Sequence, residues 1–328
     1  MKGRPPGGAA TRPEASHEAR IEAAIASDRA AVSALVASWR RSSNLHRLDP
    51  GEARPPRRLT DTEMRRARDQ LGSIVHAAQA SMDRLFLAVG GIGCCVLLAD
   101  SQGVPVDRRG APADDATFEE WGLWPGTVWS EGSEGTNGIG TCLVEGRMLT
   151  VHRDEHFLSR NALMSCTTAP IYDHEGNIAG ALDVSSCRAD LTEGFVNLIS
   201  VAVIDAARRI EAENFRLSFQ GSRILLAPGN DTGASGLIAV DPDDIVIGAT
   251  RAARQSLGIT PARLARQLPV ADLLGGGEDG GEGFDRAERG VLSRALARAG
   301  GNASAAARTL GISRATLYRK LRRLERSD

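Results

Sequence analysis

A run of six glycines and three acidic residues, GGGEDGGEG at positions 275–283, divides the chain into two parts that can reorient relative to each other. The run holds no apolar side chain, and glycine restricts the backbone little, so we expect a flexible linker reaching about 17 Å. Residues 284–328 carry a formal charge of +7, whereas residues 1–283 carry −8. The sequence therefore predicts a larger N-terminal part joined by a tether to a small basic domain, which fits 328 residues.

The composition excludes two broad classes of protein. The longest uncharged apolar run, 85–99, is shorter than the roughly 20 residues that a membrane helix needs. The N-terminus has no apolar stretch of the kind that signal peptides carry, so we expect a cytoplasmic protein with no membrane partner. Five cysteines, an odd number, favour reduced thiols over a disulfide framework.

A P-loop ATPase is also excluded from these residues. Its phosphate-binding loop requires a lysine between a glycine and a serine or threonine. The chain contains 38 arginines but only two lysines, Lys2 and Lys320, and neither follows a glycine.

The sequence of the N-terminal part predicts helices around an antiparallel sheet. We predict a disordered arm over 1–17 and a helical leader over 18–59, with helical spacing from Glu18 to Arg41. A second helix is expected to begin at Thr60 or Asp61 and to continue toward Leu85. Apolar and turn residues predict a strand at Cys94–Asp100 and a strand–turn–strand unit over 169–184. The predicted fold class is α+β.

A long helix follows, for which Thr192 is the expected N-cap. Its apolar positions step by four and three residues through Ile199, Val203, Ala206 and Ile210; Glu213 breaks the series before Leu217. This seam could pair with a second subunit or pack on the protein's own sheet, and we favour the sheet.

The basic domain has the pattern of a helix-turn-helix. Residues 285–299 are amphipathic, with Val291, Leu292, Ala295 and Leu296 on one face. Ala307 provides a small residue where two helices cross, and Gly311 suits the turn between them. Ser313 is placed to cap a second helix whose buried stripe is Leu317, Leu321 and Leu324. The opposite face carries Arg314, Thr316, Tyr318, Arg319, Arg322 and Arg323. Such a face reads base edges with its first turn and binds phosphates with its later basic residues.

This stretch resembles the C-terminal helix-turn-helix of the Fis family. The matching residues are Gly301-Asn302, Ala306-Ala307, Leu310-Gly311-Ile312 and the run 313–321. The resemblance implies that Arg314, Thr316, Tyr318 and Arg319 contact DNA directly, with Asn302, Ser304 and Lys320 nearer the backbone. It also implies binding as a homodimer through the helix at 285–299.

The N-terminal part resembles the GAF sensor domain of bacterial acetoin-catabolism regulators. The motifs that carry this resemblance are 126–131, 135–141, 152–157, Cys166, 169–171 and 180–185. It implies a domain over 60–215 with a pocket for a small-molecule effector on one face of an antiparallel sheet. From the residues themselves, Trp121, Trp124 and Trp129 could wall a pocket to which Asn137, His156 and Cys166 supply polar contacts. Core packing by the tryptophans and a structural role for His156 are the alternatives.

One motif suggests a different chemistry. His152-Arg153-Asp154-Glu155-His156 matches the H-x-x-E-H signature of zinc peptidases. That chemistry needs both histidines on one helical face, whereas the preceding residues 148–151 read as a strand. We therefore predict no catalytic residue, no metal site and no cofactor, and do not expect an enzyme.

Residues 222–274 resemble the opening half of a PAS domain. Full-length relatives of the acetoin regulators place an AAA+ ATPase between sensor and tail, and the ATP-binding lysine and the length for it are missing here. The expected function is therefore effector-controlled, sequence-specific binding of double-stranded DNA, without ATP-driven remodelling of the sigma factor.

A small ketone, diol or alcohol is the expected effector, and the resemblance leaves RNA polymerase open as a further partner. Two alternatives remain at this point. One is an architectural DNA-binding protein whose GAF region only dimerises. The other is a metal or thiol sensor that uses Cys94, Cys95, Cys142 and Cys166 with His152 and His156.

Overall fold

The computed structural model describes residues 16–27, 33–188, 193–227, 236–274, 288, 290–292, 295–296 and 299–325. Most of the expected arm 1–17, the linker 275–283 and the expected cap Thr192 lie outside these residues. The chain divides into two compact units, Met1–Val270 and Ala271–Asp328. No helix among the described residues is long and apolar enough to cross a membrane.

The leader consists of helix α1, His17–Ala26, and helix α2, Ala34–Arg40, which continues as a π-helix over Arg41–Leu45. Ser16 caps α1 and Ser33 caps α2 through their side chains, as the helix N-terminus requires. The apolar side of the leader packs on a loop of the next domain, and this cluster contains Ile21, Val36, Trp39, Phe157 and Leu158.

Two helices occupy the stretch where the sequence predicted one. Helix α3 is Asp61–Leu71 and helix α4 is Ser73–Val89. Thr60 caps α3 in a capping box with Glu63, so the predicted start is correct. The predicted continuity is wrong, because Gly72 has a φ of +53° and interrupts the helix.

A five-stranded antiparallel sheet forms the centre of the first unit, in the order β2-β1-β5-β4-β3. The strands are β1 Cys94–Asp100, β2 Pro105–Arg109, β3 Leu149–His152, β4 Ser165–Tyr172 and β5 Ile178–Ser186. Short helices lie between them: α5 Asp115–Glu120, α6 Glu131–Glu134 and α7 Gly138–Glu145. Single 3-10 turns complete the connections at Gly90–Ile92, Pro112–Asp114, Arg153–Glu155 and Ser159–Asn161.

The two faces of this sheet pack differently. Helix α4 and the long helix α8, Glu193–Ser218, cover one face. The seam predicted in the sequence is buried there: Ile199, Val203, Ala206 and Ile210 belong to the same apolar cluster as α4 and the sheet. Side chains of α5, α7 and the loop before α6 cover the other face, which we call the α7 face; its cluster includes Leu97, Phe118, Trp129 and Ile139. The predicted α+β class, with an antiparallel sheet flanked by helices, is confirmed.

A second, smaller sheet follows α8. Its strands are β6 Arg223–Leu226, β7 Leu237–Val240 and β8 Val246–Ala249, followed by α9 Arg251–Leu257 and α10 Pro261–Leu264. We call residues 222–270 the β6–β8 module. Phe215, near the end of α8, is buried in the module's core with Leu237 and Ala239. The likeness of this segment to half a PAS domain stays a prediction.

The second unit is helical. It contains α11 Ala271–Leu274, α12 Ala303–Thr309 and α13 Arg314–Glu325, and residues 288, 290–292, 295 and 296 are also helical. Its core is formed by Leu292, Ala295, Ala306, Ala307 and Leu317. Val291, predicted on the buried face, is instead 44% exposed. The glycine turn is as predicted, because Gly311 has a φ of +65°.

Candidate functional site

Helix α13 has one buried side and one basic side. Leu317 is fully buried and Leu321 is partly buried against the same core. The predicted contacts Arg314, Arg319 and Arg322 are exposed, and Tyr318 is 44% exposed. The Arg314 guanidinium lies 5.6 Å from the centre of the Tyr318 ring, so these two side chains form one surface.

Polar side chains at the starts of α12 and α13 accept hydrogen bonds from backbone N–H groups of these helices. Thr316 donates its backbone N–H to Ser313 Oγ at 3.1 Å, and the two hydroxyl oxygens lie 2.9 Å apart. Asn302 caps α12, because its Oδ1 accepts the backbone N–H groups of Ser304 and Ala305, both at 3.1 Å. Asn302 and Ser313 therefore hold the N-terminal ends of α12 and α13.

Two of the predicted phosphate-binding residues already have a carboxylate partner. Lys320 and Arg323 both form ion pairs with Glu288, and the hydrogen bond from Lys320 lowers the pKa of Glu288. Arg319 and Arg322 have no ion pair within the described part of the chain. The free cationic surface of α13 therefore centres on Arg314, Arg319 and Arg322.

The predicted effector residues lie on or beside the α7 face of the large sheet. Trp129 and Cys166 belong to one buried cluster, and Trp121 packs against it. The Trp129 indole donates to Gly122 O at 2.8 Å. This arrangement brings together three of the six predicted residues.

His156 joins this cluster through Cys166 and a chain of buried polar groups. His156 Nε2 lies 3.5 Å from Cys166 Sγ, and His156 Nδ1 donates to Arg153 O at 2.8 Å. Ser185 Oγ lies 3.1 Å from Cys166 Sγ and 2.6 Å from Asp183 Oδ2, while Thr168 donates to Asp183 Oδ1 at 2.5 Å. Burial lowers the pKa of His156 to about 4 and raises the pKa of Asp183 to about 6. His156 is therefore neutral at pH 7: its Nδ1–H donates to Arg153 O, and its Nε2 accepts a hydrogen bond from the Cys166 thiol.

The Asn137 side chain makes its hydrogen bonds to backbone groups. It caps α7 by accepting the Gly140 N–H at 2.8 Å, and it donates to Gly135 O at 2.8 Å. The next residue, Gly138, lies so close to the sheet that a Cβ atom would be 2.6 Å from Cys166 Cβ. The start of α7 therefore lies in close contact with the polar side chains that link His156 to Asp183.

The zinc-peptidase motif does not form a zinc-peptidase site. His152 ends β3 and Glu155 lies in the following 3-10 turn, as the predicted strand exit implies. Glu155 accepts the backbone N–H of His152 at 2.7 Å, and His152 Nδ1 lies 2.7 Å from Ser165 Oγ. Among the residues described, no three His, Cys, Asp or Glu side chains are placed to share a metal ion.

The adjacent cysteines Cys94 and Cys95 cannot act together. Cys94 packs with α4, whereas Cys95 packs on the α7 face, so they point to opposite sides of the sheet. Burial raises the pKa of Cys94 to about 11, and it also raises the pKa values of Cys95, Cys142 and Cys166. The thiolate, which binds metals and reacts, is therefore disfavoured at all four.

One polar residue on the α7 face was missed in the sequence. Arg108 lies opposite Leu97 in the β1–β2 ladder, and its side chain is only 9% exposed. Its guanidinium lies 4.4 Å from the Trp124 ring and 5.3 Å from the Phe118 ring, and Nη1 donates to Asp115 at 2.7 Å. Its Nε and Nη2 are buried and have no hydrogen-bond partner among the residues that the structure describes. Trp124, a predicted effector residue, thus stacks on a cation with two unused donors, which no local sequence pattern reveals.

A partly buried ion pair joins the leader to α6 and α7, and the sequence did not predict it either. Arg41 donates from Nε to Glu131 Oε1 at 2.7 Å and from Nη2 to Glu145 at 2.8 Å. Glu131 is 1% exposed and also accepts the Ser38 hydroxyl at 3.0 Å. The partners lie 90 residues apart in the chain, so only the fold brings them together.

Comparisons with known families agree with this geometry. Residues 73–210 match the GAF domain family, and residues 284–324 match the Fis family of bacterial regulatory proteins. The chain carries a GAF domain and a Fis-type helix-turn-helix. The five-stranded sheet with α4 and α8 is thus the GAF domain, and α12 and α13 belong to the Fis-type domain.

The relatives that match part of this chain by sequence are bacterial regulators. The acetoin catabolism regulatory protein of Cupriavidus necator is 33% identical over 71% of this chain and 36% of its own length. The acetoin dehydrogenase operon transcriptional activator of Bacillus subtilis is 25% identical over 54% of this chain and 29% of its own length. The chain thus spans about a third of the length of these relatives. The fold is similar to that in the crystal structure of the Escherichia coli DhaR(N)–DhaL complex, with a TM-score of 0.50, 14% identity, and coverage of 69% of this chain and 77% of that one.

Proposed function

We propose that this protein is a cytoplasmic, non-catalytic transcriptional regulator that binds specific double-stranded DNA sites and responds to a small metabolite through its GAF domain. The observation that carries the DNA-binding part is the exposed surface of Arg314, Tyr318, Arg319 and Arg322 on α13, opposite the buried Leu317. A helix held by its apolar side and lined by arginine on the other fits the major groove.

Replacing Arg314 with alanine is expected to weaken binding to the preferred DNA site by about 5- to 150-fold. A base-contacting arginine contributes roughly 1–3 kcal/mol, and its loss also relaxes the base preference at the contacted position. Fluorescence anisotropy on the genomic site of highest affinity measures this. Arg66→Ala, an equal charge change on the exposed side of α3, is the control and should bind within twofold of the wild type. Equal affinities for both variants would contradict the recognition role of α13.

For the GAF domain, we propose that the effector occupies the α7 face and pairs its oxygen with Arg108. Two buried donors without an acceptor cost about 1–3 kcal/mol each, so an oxygen atom placed there would be bound strongly. Ketones, diols and alcohols all carry such an oxygen beside an apolar body. The walls would be Trp124, Trp121 and Trp129, with Cys166 and His156 deeper in the face. The names of the acetoin regulators support this class of effector.

Thermal unfolding with acetoin, 2,3-butanediol and acetone tests the effector site. We expect one of them to raise the Tm of the wild type, because a ligand at 100 times its Kd stabilises the folded state by about 2.7 kcal/mol. Arg108→Met should abolish that shift. The matched control is Arg109→Met, whose side chain pairs with Asp83 and Asp107 instead, and the shift should persist in it. No shift with any compound would favour the alternative, an architectural DNA-binding protein.

We further propose a homodimer formed through the outer side of α8. With its seam buried on the sheet, this helix still exposes Phe195 at 45%, Leu198 at 68% and Val201 at 68%. These apolar positions are three residues apart and form one strip, which a second copy would cover. Leu198→Glu should convert the dimer into a monomer in sedimentation equilibrium, while Asp69→Lys on the exposed side of α3 should not. A monomeric wild type would contradict the proposal.

We infer that control acts on DNA affinity and not through ATP-driven remodelling. The segment between the two matched regions, 211–283, contains no lysine and so no P-loop. An effector can shift the DNA-bound population only if it binds the two conformations with different affinity. Contact with RNA polymerase stays open as the step that follows DNA binding.

A further inference from the structure

A cavity of about 530 Å³ lies in the first unit between the GAF domain and the β6–β8 module. Its walls are the α8 residues 204–212, the end of β4, residues 146–148 before β3, and the start of α9. This volume falls within the usual range of small-molecule sites, roughly 300–1,000 Å³. The cavity is separate from the α7 face, because Ala169 and α8 belong to the opposite side of the sheet.

Arginines dominate the charge of this cavity. Arg147, Arg208 and Arg251 line it, together with the carboxylates of Asp205 and Glu211. Asp205 is paired with Arg209 at 2.5 Å, and Glu211 accepts the backbone N–H of Tyr172 at 2.9 Å. Burial also raises the pKa of Glu211 to about 7, which weakens its negative charge at neutral pH. The lining therefore has an excess of positive charge.

The three arginines differ in the contacts that they already make within the protein. Arg147 lies 3.9 Å from a Glu145 oxygen, and Arg251 stacks 3.9 Å from the centre of the Tyr172 ring. Arg208, exposed on α8, has no hydrogen bond or ion pair with any residue that the structure describes. Its five N–H donors are therefore available to an anion, and stacked Arg251 faces the same space.

The rest of the lining is apolar. Met148, Pro170, Ile204 and Leu237 contribute side chains, and the Tyr172 ring is held in place by a hydrogen bond from its hydroxyl to Gly146 O at 2.7 Å. An inorganic anion would leave this apolar surface uncovered, whereas a compound with a hydrocarbon body would bury it. The chemistry therefore favours a carboxylate on an aromatic or aliphatic group.

We propose that this cavity is a second ligand site that binds a small organic carboxylate, with Arg208 and Arg251 pairing the carboxylate and Tyr172 and Leu237 contacting its apolar body. The bound molecule would bridge β4 and α8 of the GAF domain to α9 of the module. It would thereby hold the module, which precedes the glycine tether, against the GAF domain. This site does not depend on the proposed DNA contacts or on the effector at Arg108.

The chain contains only two tyrosines, Tyr172 and Tyr318, which allows a local readout. The full-length protein labelled with 3-fluorotyrosine should give two ¹⁹F NMR signals, assigned with Tyr318→Phe. Titration with sodium benzoate is expected to shift the Tyr172 signal saturably, with the Tyr318 signal unchanged. Benzamide, the neutral analogue, and inorganic phosphate should leave both signals in place at the same concentrations.

Arg208→Gln should weaken benzoate binding at least tenfold, because it removes the charged donor. The Arg208 side chain has no hydrogen bond or ion pair with any described residue, so the substitution should leave folding intact. Arg216→Gln is the matched control: Arg216 is also exposed on α8 but does not line the cavity, and affinity should stay within twofold. A saturable shift by benzamide or phosphate, equal affinity in Arg208→Gln, or no saturable shift with benzoate or hexanoate up to 10 mM would each overturn the proposal.

Discussion

Replacing Arg41 with methionine is expected to lower the free energy of unfolding by about 3–5 kcal/mol. The substitution leaves the carboxylate of Glu131, 1% exposed, without its cation, and an uncompensated buried charge is costly. The Ser38 hydroxyl is the main donor that would remain. Urea unfolding followed by tryptophan fluorescence measures this, because all four tryptophans lie in the leader and the GAF domain at positions 39, 121, 124 and 129.

Two further variants distinguish the cost of leaving a buried charge unpaired from the cost of removing the Arg41 side chain. Arg57→Met breaks an exposed ion pair with Glu63 and should cost less than about 1 kcal/mol. The double variant Arg41→Met with Glu131→Gln leaves no unpaired charge and should recover part of the lost stability. If Arg41→Met alone costs no more than Arg57→Met, the pair does not fasten the leader to the GAF domain.

Replacing Asp183 with asparagine is expected to stabilise the protein by about 3 kcal/mol at pH 8. The carboxyl group titrates near 3.8 when exposed and near 6 in the folded protein. Between these values the folded state binds more protons, so raising the pH destabilises it by up to about 3 kcal/mol, in full above pH 6. Asparagine has no charge to bury, and it keeps an oxygen acceptor for Thr168 or Ser185.

The pH dependence distinguishes this effect from a simple packing change. The gain should fall to about half at pH 5 and vanish near pH 3.5, as the wild-type carboxyl becomes protonated. Urea unfolding at pH 8 and pH 5 checks it, and Asp69→Asn on the exposed side of α3 should show no such difference. Equal or lower stability of Asp183→Asn at pH 8 would mean that the two hydroxyl donors hold the ionised form.

Local sequence signals were sufficient where structure is decided within a few residues. The strand Cys94–Asp100 has the predicted bounds, and the strand–turn–strand unit predicted over 169–184 appears as β4 and β5. Gly311 adopts the predicted positive φ because the helix-turn-helix turn requires it. In these cases hydrophobic pattern, turn residues and caps agree.

Other elements depend on partners distant in the chain. Helix α7 begins with Gly138 and contains Gly140, which are poor helix formers. They are needed because a Cβ on Gly140 would lie 2.5 Å from Trp129 O and 2.4 Å from Glu131 N. The same holds at the candidate sites: Arg108 and Arg41 look like any other arginines in the sequence. Their roles follow from the strand pairing and the leader packing, which no short motif encodes.

Helix α8 has no interruption between Glu193 and Ser218, a length of about 39 Å. Its middle is buried on the sheet and Phe215 near its far end is buried among the strands of the module. The helix therefore connects the sheet to the module through one continuous element. A tilt of about 5° at one end of such a helix displaces the other end by about 3 Å, so a small shift at the sheet would reach the module without any segment having to unfold.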